Sequence, residues 1–190
     1  MFKKALIGAA MLATLPLTAG AATWTFSGAL NTLQETSPVA VPSPYFGGGL
    51  LAATLNDVTG AFVLDVFFSG LTGPTGGQHI HEAPPGMAGP VIFHLPAPVP
   101  APLPAVPGIF SIHFATTLLP ADLDGLTFDG GGAFGVGDPT NWYVNLHTGA
   151  NVAGEIRGQL LVSSVVVPLP ASLALLVPAL GGLVLIRRRT

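Results

Sequence analysis

AFVLDVFFS, residues 61–69, is a run in which large apolar side chains recur at every second position. Successive side chains of a strand point to opposite faces, so Phe62, Leu64, Val66 and Phe68 share one face. The preceding run LAATL (51–55) alternates in the same way, and NDVTG (56–60) between the two is typical of a turn. The pattern predicts a β-hairpin that contributes a central strand.

Alternating runs continue on both sides of this hairpin, each bounded by Gly, Pro or Asn/Asp clusters. They cover 24–30, 78–81, 90–95, 109–115, 142–148 and 154–162. Many short strands with turn residues between them favour an all-β fold. We therefore predict an antiparallel two-sheet β-sandwich.

The distribution of charge excludes several functions. Five of the six cations are Lys3, Lys4 and the arginines of 187–189, so the body between them holds Arg157 against nine acids, a formal charge of −8. A body of that charge cannot follow a phosphate backbone, so we expect no nucleic-acid partner. The absence of cysteine excludes thiolate catalysis and disulfides.

The two ends differ from the body. Residues 1–21 predict a cleavable signal peptide, with Lys3 and Lys4 before an apolar helix and Ala19-Gly20-Ala21 at the cleavage site. Residues 165–190 combine an apolar helix of marginal spanning length, from Ala171 to Ile186, with a terminal arginine cluster. The domain boundaries predicted are thus 1–21, 22–164 and 165–190.

The start of the C-terminal segment resembles a sorting signal of Gram-negative bacteria. The VPLPA motif, then the apolar helix and the arginines, is similar to the VPLPA variant of PEP-CTERM; its residues are Val167, Pro168, Leu169, Pro170 and Ala171. The signal peptide implies cleavage by signal peptidase during export. The resemblance implies a transient anchor in the inner membrane through a transmembrane helix, and processing by an exosortase-type protease. The body would then reach the cell surface or the extracellular matrix.

Three histidines are the chemically interesting residues of the body. In a strand His79 and His81 share a face, while Ile80 points to the core. In the run 142–148 the same alternation turns Tyr143, Asn145 and His147 away from the core. The three imidazoles can meet only if these two strands are neighbours, which the sequence does not establish.

Two motifs in the body resemble the CHRD domain. They are HIHEAP (79–84) with GPV (89–91), and WYVNLHT (142–148) with GEIRGQL (154–160). The resemblance extends over about residues 24–162 and implies an immunoglobulin-like sandwich. The family has no well-defined biochemical activity.

A weaker similarity is to copper-zinc superoxide dismutases, which share a His-Ile-His-Glu type of run. It implies His79, His81 and His147 as copper ligands, with His94 as a fourth. The chain departs from that family because it lacks the cysteines, the zinc loop and the electropositive rim that steers superoxide.

The histidines therefore leave three interpretations open: a structural cluster bonded to Asn145, Glu82 or backbone carbonyls; a copper or zinc site; and acid/base catalysis. Glu155 and Arg157 are predicted to pair with each other or with Glu82, with Arg157 as a structural fork on the surface. His113 is expected to be a lone surface histidine.

No nucleophile elbow, zinc-protease motif or paired catalytic carboxylates appear in the sequence. The leading hypothesis is a non-enzymatic, exported CHRD protein with a role in the extracellular matrix or adhesion, and a polysaccharide as partner. The alternative is a metal-binding or redox module that uses the three histidines.

Overall fold

A computed structural model describes residues 21–39, 47–99, 108–118 and 141–168, and these form nine strands. A single 3-10 turn, Thr32–Gln34, follows the first strand. The strands are β1 Thr23–Asn31, β2 Gly48–Asn56, β3 Ala61–Ser69, β4 Thr75–Glu82, β5 Val91–His94, β6 Phe110–Thr117, β7 Trp142–Thr148, β8 Ile156–Gln159 and β9 Leu161–Val166.

All nine strands belong to one antiparallel sheet with the order β5-β4-β7-β8-β1-β2-β3-β6. The ninth strand also pairs with β1. Only Leu160 separates β8 from β9, so one segment of chain pairs first with β7 and then with β1. This segment joins the two halves of the sheet.

The sheet is curled, with its apolar face inward. The rings of Phe62 on β3 and Trp142 on β7 meet edge to face with centroids 5.4 Å apart, although these strands are not neighbours. Phe93 on β5 and Phe114 on β6, at opposite ends of the strand order, lie 5.7 Å apart. Opposite parts of one sheet thus bury their aromatic side chains against each other, which stabilises the curl.

The predicted hairpin is confirmed. Leu55 pairs with Phe62 and Leu51 with Val66, and all four side chains are buried. At the turn the Oδ1 atom of Asn56 accepts hydrogen bonds from the amides of Val58 and Thr59, at 3.1 and 2.8 Å.

The all-β, antiparallel part of the predicted fold is confirmed, and the run 154–162 is divided into two strands. All nine strands are connected in one hydrogen-bonded sheet. The predicted sandwich of two separate sheets therefore stays a prediction. Across the described ranges, no helix has the length and apolar character needed to cross a membrane. The predicted helices of residues 1–20 and 171–186 lie outside those ranges; the compact unit spans Ala21–Val166.

Gly60 provides a test of the β2–β3 turn. Its φ is +70°, its carbonyl accepts from the amide of Leu118 at 2.8 Å, and an added Cβ would collide with the carbonyl oxygen of Leu118. We expect Gly60→Ala to lower the free energy of unfolding by about 2–4 kcal/mol in urea denaturation. Gly73→Ala is the control, because an added Cβ there meets nothing within 4 Å, and it should change stability by less than about 0.5 kcal/mol. Equal effects of the two substitutions would contradict this account of the turn.

Candidate functional site

The outer face of β4, β7 and β8 carries a polar layer, because these strands are hydrogen-bonded neighbours. The condition that the sequence left open is therefore met. Three cross-strand rows make up the layer: His81 beside Tyr143 and Gln159, His79 beside Asn145 and Arg157, and Gly77 beside His147.

The three predicted histidines form one cluster. Their ring centroids are 5.1 Å apart for His79 and His147, 5.6 Å for His79 and His81, and 6.1 Å for His81 and His147. One ring nitrogen from each lies within 4.8 Å of the others. The exposed His94, paired with His79 across β4 and β5, has its ring 4.8 Å from that of His79.

Backbone carbonyls set the orientation of two of these rings. The Nδ1 atom of His81 lies 2.9 Å from the carbonyl oxygen of Gly89, and the Nδ1 of His147 lies 3.0 Å from that of Val152. A carbonyl oxygen only accepts, so each Nδ1 carries the hydrogen, and in the neutral ring the lone pair is on Nε2. Three ring nitrogens are buried without a hydrogen-bond partner among the described residues: Nε2 of His81, Nε2 of His147 and Nδ1 of His79.

The environment of the cluster favours neutral imidazoles. Burial, together with the neighbouring His147, His81 and His94, lowers the pKa of His79 to about 4. Burial also lowers the pKa of His81, against the opposing effect of its bond to the Gly89 carbonyl. Neutral imidazole is the form that coordinates a metal, so the cluster is ready for metal binding near pH 7.

Gly77 provides the space for the cluster, a role that sequence reasoning missed. A Cβ at this position would lie 3.0 Å from the Cε1 atom of His79. The only signal in the sequence was Gly76-Gly77 inside a strand, where glycine often marks a close approach.

Glu155 does not pair with Arg157 or Glu82, so this prediction is wrong. Gly154 has φ +128° and β8 begins only at Ile156, which takes Glu155 out of the strand alternation. Its fully buried carboxylate instead accepts four hydrogen bonds: from the amide and hydroxyl of Thr72 at 2.7 and 2.6 Å, the hydroxyl of Thr148 at 2.7 Å, and Nδ2 of Asn151 at 3.0 Å.

Arg157 is buried, with 1% of its surface exposed, which corrects the prediction of a surface residue. Its guanidinium lies 3.4 Å above the centre of the Tyr143 ring, a ring that also stacks on His81 at 5.0 Å. The predicted fork is present: Nη1 donates to the Met87 carbonyl at 2.7 Å, and Nη2 donates to the Pro84 carbonyl at 3.1 Å and to Oε1 of Gln159 at 3.1 Å. All three acceptors are neutral oxygens.

Two further expectations about exposure need correction. Tyr143 and Asn145 do point away from the core, but both are buried. Other segments cover them: the Tyr143 hydroxyl accepts a hydrogen bond from the Gly89 amide, and Nδ2 of Asn145 donates to Glu35. His113 is exposed as expected, but it is not alone, since its Nδ1 lies 2.7 Å from Oδ1 of Asp65.

Replacing Arg157 tests whether it holds the polar layer together. We expect Arg157→Met, which keeps the apolar stem, to lower the free energy of unfolding by about 2–4 kcal/mol, because three oxygen acceptors lose their donors. His113→Gln, at an exposed position outside the layer, should change it by less than about 0.5 kcal/mol. Urea denaturation measures both, and a methionine variant as stable as the original chain would contradict this role.

Comparison with known proteins gives one match. The family model of the CHRD domain matches residues 26–160. This range contains β2 to β8 and most of β1, and it ends before β9. No curated protein and no solved structure matches the chain. Since the match covers well over half of the sequence and contains the histidine cluster and the polar layer, the chain belongs to the CHRD domain family.

Proposed function

We propose that this CHRD domain binds one divalent copper or zinc ion through His79, His81 and His147. The observation that carries the proposal is the convergence of three imidazoles, each with a buried nitrogen that has no hydrogen-bond partner among the described residues. An unpaired buried polar atom is costly, and a metal ion would satisfy all three at once.

The orientation of the rings supports a metal site over a purely structural cluster. With Nδ1 of His81 and His147 donating to carbonyls, both Nε2 atoms are acceptors and cannot hydrogen-bond to each other. Two converging acceptors stabilise a cation. Histidines that bind a metal commonly donate their other ring N–H to a backbone carbonyl in this way, which fixes the tautomer and the orientation of the ring.

The donor set favours copper and zinc among biological metals. Three imidazoles suit these ions, whereas calcium and magnesium prefer oxygen ligands. Among divalent ions at a nitrogen site, copper binds more tightly than zinc. His94, beside His79 at the exposed end of the row, supplies a fourth imidazole.

Metal titration tests the proposal. We expect the full-length chain to bind one Cu²⁺, and Zn²⁺ more weakly, and its melting temperature to rise with either metal, because an ion at 100 times its Kd adds about 2.7 kcal/mol of stability. His147→Gln and His79→Gln should abolish the stabilisation, whereas His113→Gln should leave it unchanged.

Gly77→Ala gives a second variant that retains every ligand. Its Cβ should displace the His79 ring and weaken metal binding by at least about tenfold, the effect expected when a supporting contact of a metal site is lost. Stoichiometric metal binding that survives both histidine substitutions, or no binding by the original chain, would reject the site.

We also propose that the chain is exported and sorted to the cell surface, where the domain acts without catalysis in the extracellular matrix or in adhesion. Support comes from the signal-peptide pattern of residues 1–21 and the VPLPA motif with its following helix and arginines. Of the motif, only Val167 and Pro168 lie in the described ranges, and both are exposed after β9, as a processing site requires.

We propose that the curled sheet is a two-layered sandwich of the immunoglobulin-like kind, related in shape to copper-zinc superoxide dismutase.

Mass spectrometry of the mature protein tests the sorting proposal. We expect an N-terminus near Ala22 and a C-terminus close to the VPLPA motif, without residues 187–190. Replacing Pro168 and Pro170 by alanine should leave the N-terminus unchanged and retain the C-terminal arginines. An original chain that keeps Arg189 would contradict processing.

A further inference from the structure

A second candidate site lies beside Arg157 on β8. A cavity of about 380 Å³ is lined by residues 33–36, by Pro85 and Gly86, and by the side chains of Arg157 and Gln159. This volume is within the range of small-molecule sites. None of the three histidines lines it.

The cavity contains the buried positive charge of Arg157, which forms no salt bridge with a carboxylate of the described residues. Only 1% of the surface of Arg157 is exposed, so its guanidinium is poorly solvated, and this burial lowers its pKa. Among the described residues, its hydrogen bonds go only to neutral oxygens, of Met87, Pro84 and Gln159. A desolvated cation of this kind is stabilised by an anion placed within reach.

The second polar group of the cavity is Glu35, whose Oε1 is buried without a partner among the described residues. Burial raises the pKa of Glu35 to about 7; Arg157 and the hydrogen bond from Asn145 oppose this rise, and Glu155 adds to it. Near neutral pH the carboxyl is therefore partly protonated, and its O–H is a donor. The neutral form leaves the charge of Arg157 free for a ligand.

We propose that this cavity binds the carboxylate group of a small organic acid. The three hydrogen bonds of Arg157 use three of its five N–H donors, so the other two are available to a ligand carboxylate. Protonated Glu35 supplies a further hydrogen bond to that carboxylate. A doubly charged phosphate fits less well, because the body is acidic and the cavity offers a single cation. The site is separate from the metal proposal and stands without it.

Binding should depend on pH through Glu35. Ionised Glu35 repels the ligand, and the charged groups that act on it are Arg157 and Glu155. With a pKa of about 7, about nine-tenths of Glu35 is protonated at pH 6 and about one-tenth at pH 8. If only the protonated form binds, affinity falls about tenfold between these pH values.

Two kinds of ligand carry such a carboxylate: a free sugar acid, and a uronic acid unit within an acidic polysaccharide. The 380 Å³ of the cavity accommodates a monosaccharide in either case. Glucuronate as the monomer and a glucuronate-containing oligosaccharide as the polymer fragment distinguish the two.

Calorimetric titration of the full-length chain tests the proposal, with D-glucuronate, the oligosaccharide and neutral D-glucose as probes. We expect glucuronate to bind at pH 6 about tenfold more tightly than at pH 8, and glucose not to bind. Glu35→Gln should remove the pH dependence between 6 and 8. Thr36→Phe, which fills the cavity from an exposed position, should abolish binding, and Thr54→Phe on the exposed face of β2 should not.

Each result either distinguishes the two kinds of ligand or rejects the carboxylate site beside Arg157. Binding of the monomer supports a free acid, and binding of the oligosaccharide alone supports a polysaccharide. Binding of neither charged probe overturns the proposal, as does equal binding of glucose or binding that persists in Thr36→Phe. Because Thr36 and Thr54 are both exposed, the two phenylalanine variants are matched for their effect on folding.

Discussion

The pairing of β7 with β4 on one side and β8 on the other is the constraint on which the sites depend. It places His79 beside Asn145 and Asn145 beside Arg157, although His79 is far from the other two in the sequence. A shift of one residue would exchange the two faces of a strand, sending Val144 outward and Asn145 into the core. Because Ile80, Val144 and Ile156 are completely buried, the apolar face holds the register of the polar one.

Burial in and beside the polar layer shifts the pKa values of His79, His81 and Glu35 toward the neutral state. The loop after β4 contributes the carbonyls of Pro84, Met87 and Gly89, which bond to Arg157 and His81. By excluding water, this environment lowers the pKa of His79 to about 4 and raises that of Glu35 to about 7. A neutral imidazole is needed for a metal and a neutral carboxyl for an anion, so a single physical cause prepares both candidate sites.

The sequence allowed the strands and the core to be predicted, because alternation of the kind seen in residues 61–69 reports which face is buried. It could not reveal that the other face of β7 is covered as well. Tyr143 and Asn145 look like surface residues by alternation, and only the positions of Gly89 and Glu35 in space show that they are buried. Glu155 was misplaced because a single positive φ at Gly154 interrupts the strand pattern, and no periodicity reports such a residue.

Tyr143 connects the two candidate sites physically. Its ring stacks on His81 and lies under the guanidinium of Arg157. A cation bound at the histidines and an anion bound beside Arg157 would thus each lie next to a residue that contacts this ring. Burial is the main cause of the lowered pKa of His81, and the positive charge of Arg157 adds to that lowering. The two proposed ligands have opposite charges and would attract each other across this ring. Since coupling of binding free energies is reciprocal, metal would strengthen carboxylate binding by the same factor that the carboxylate strengthens metal binding.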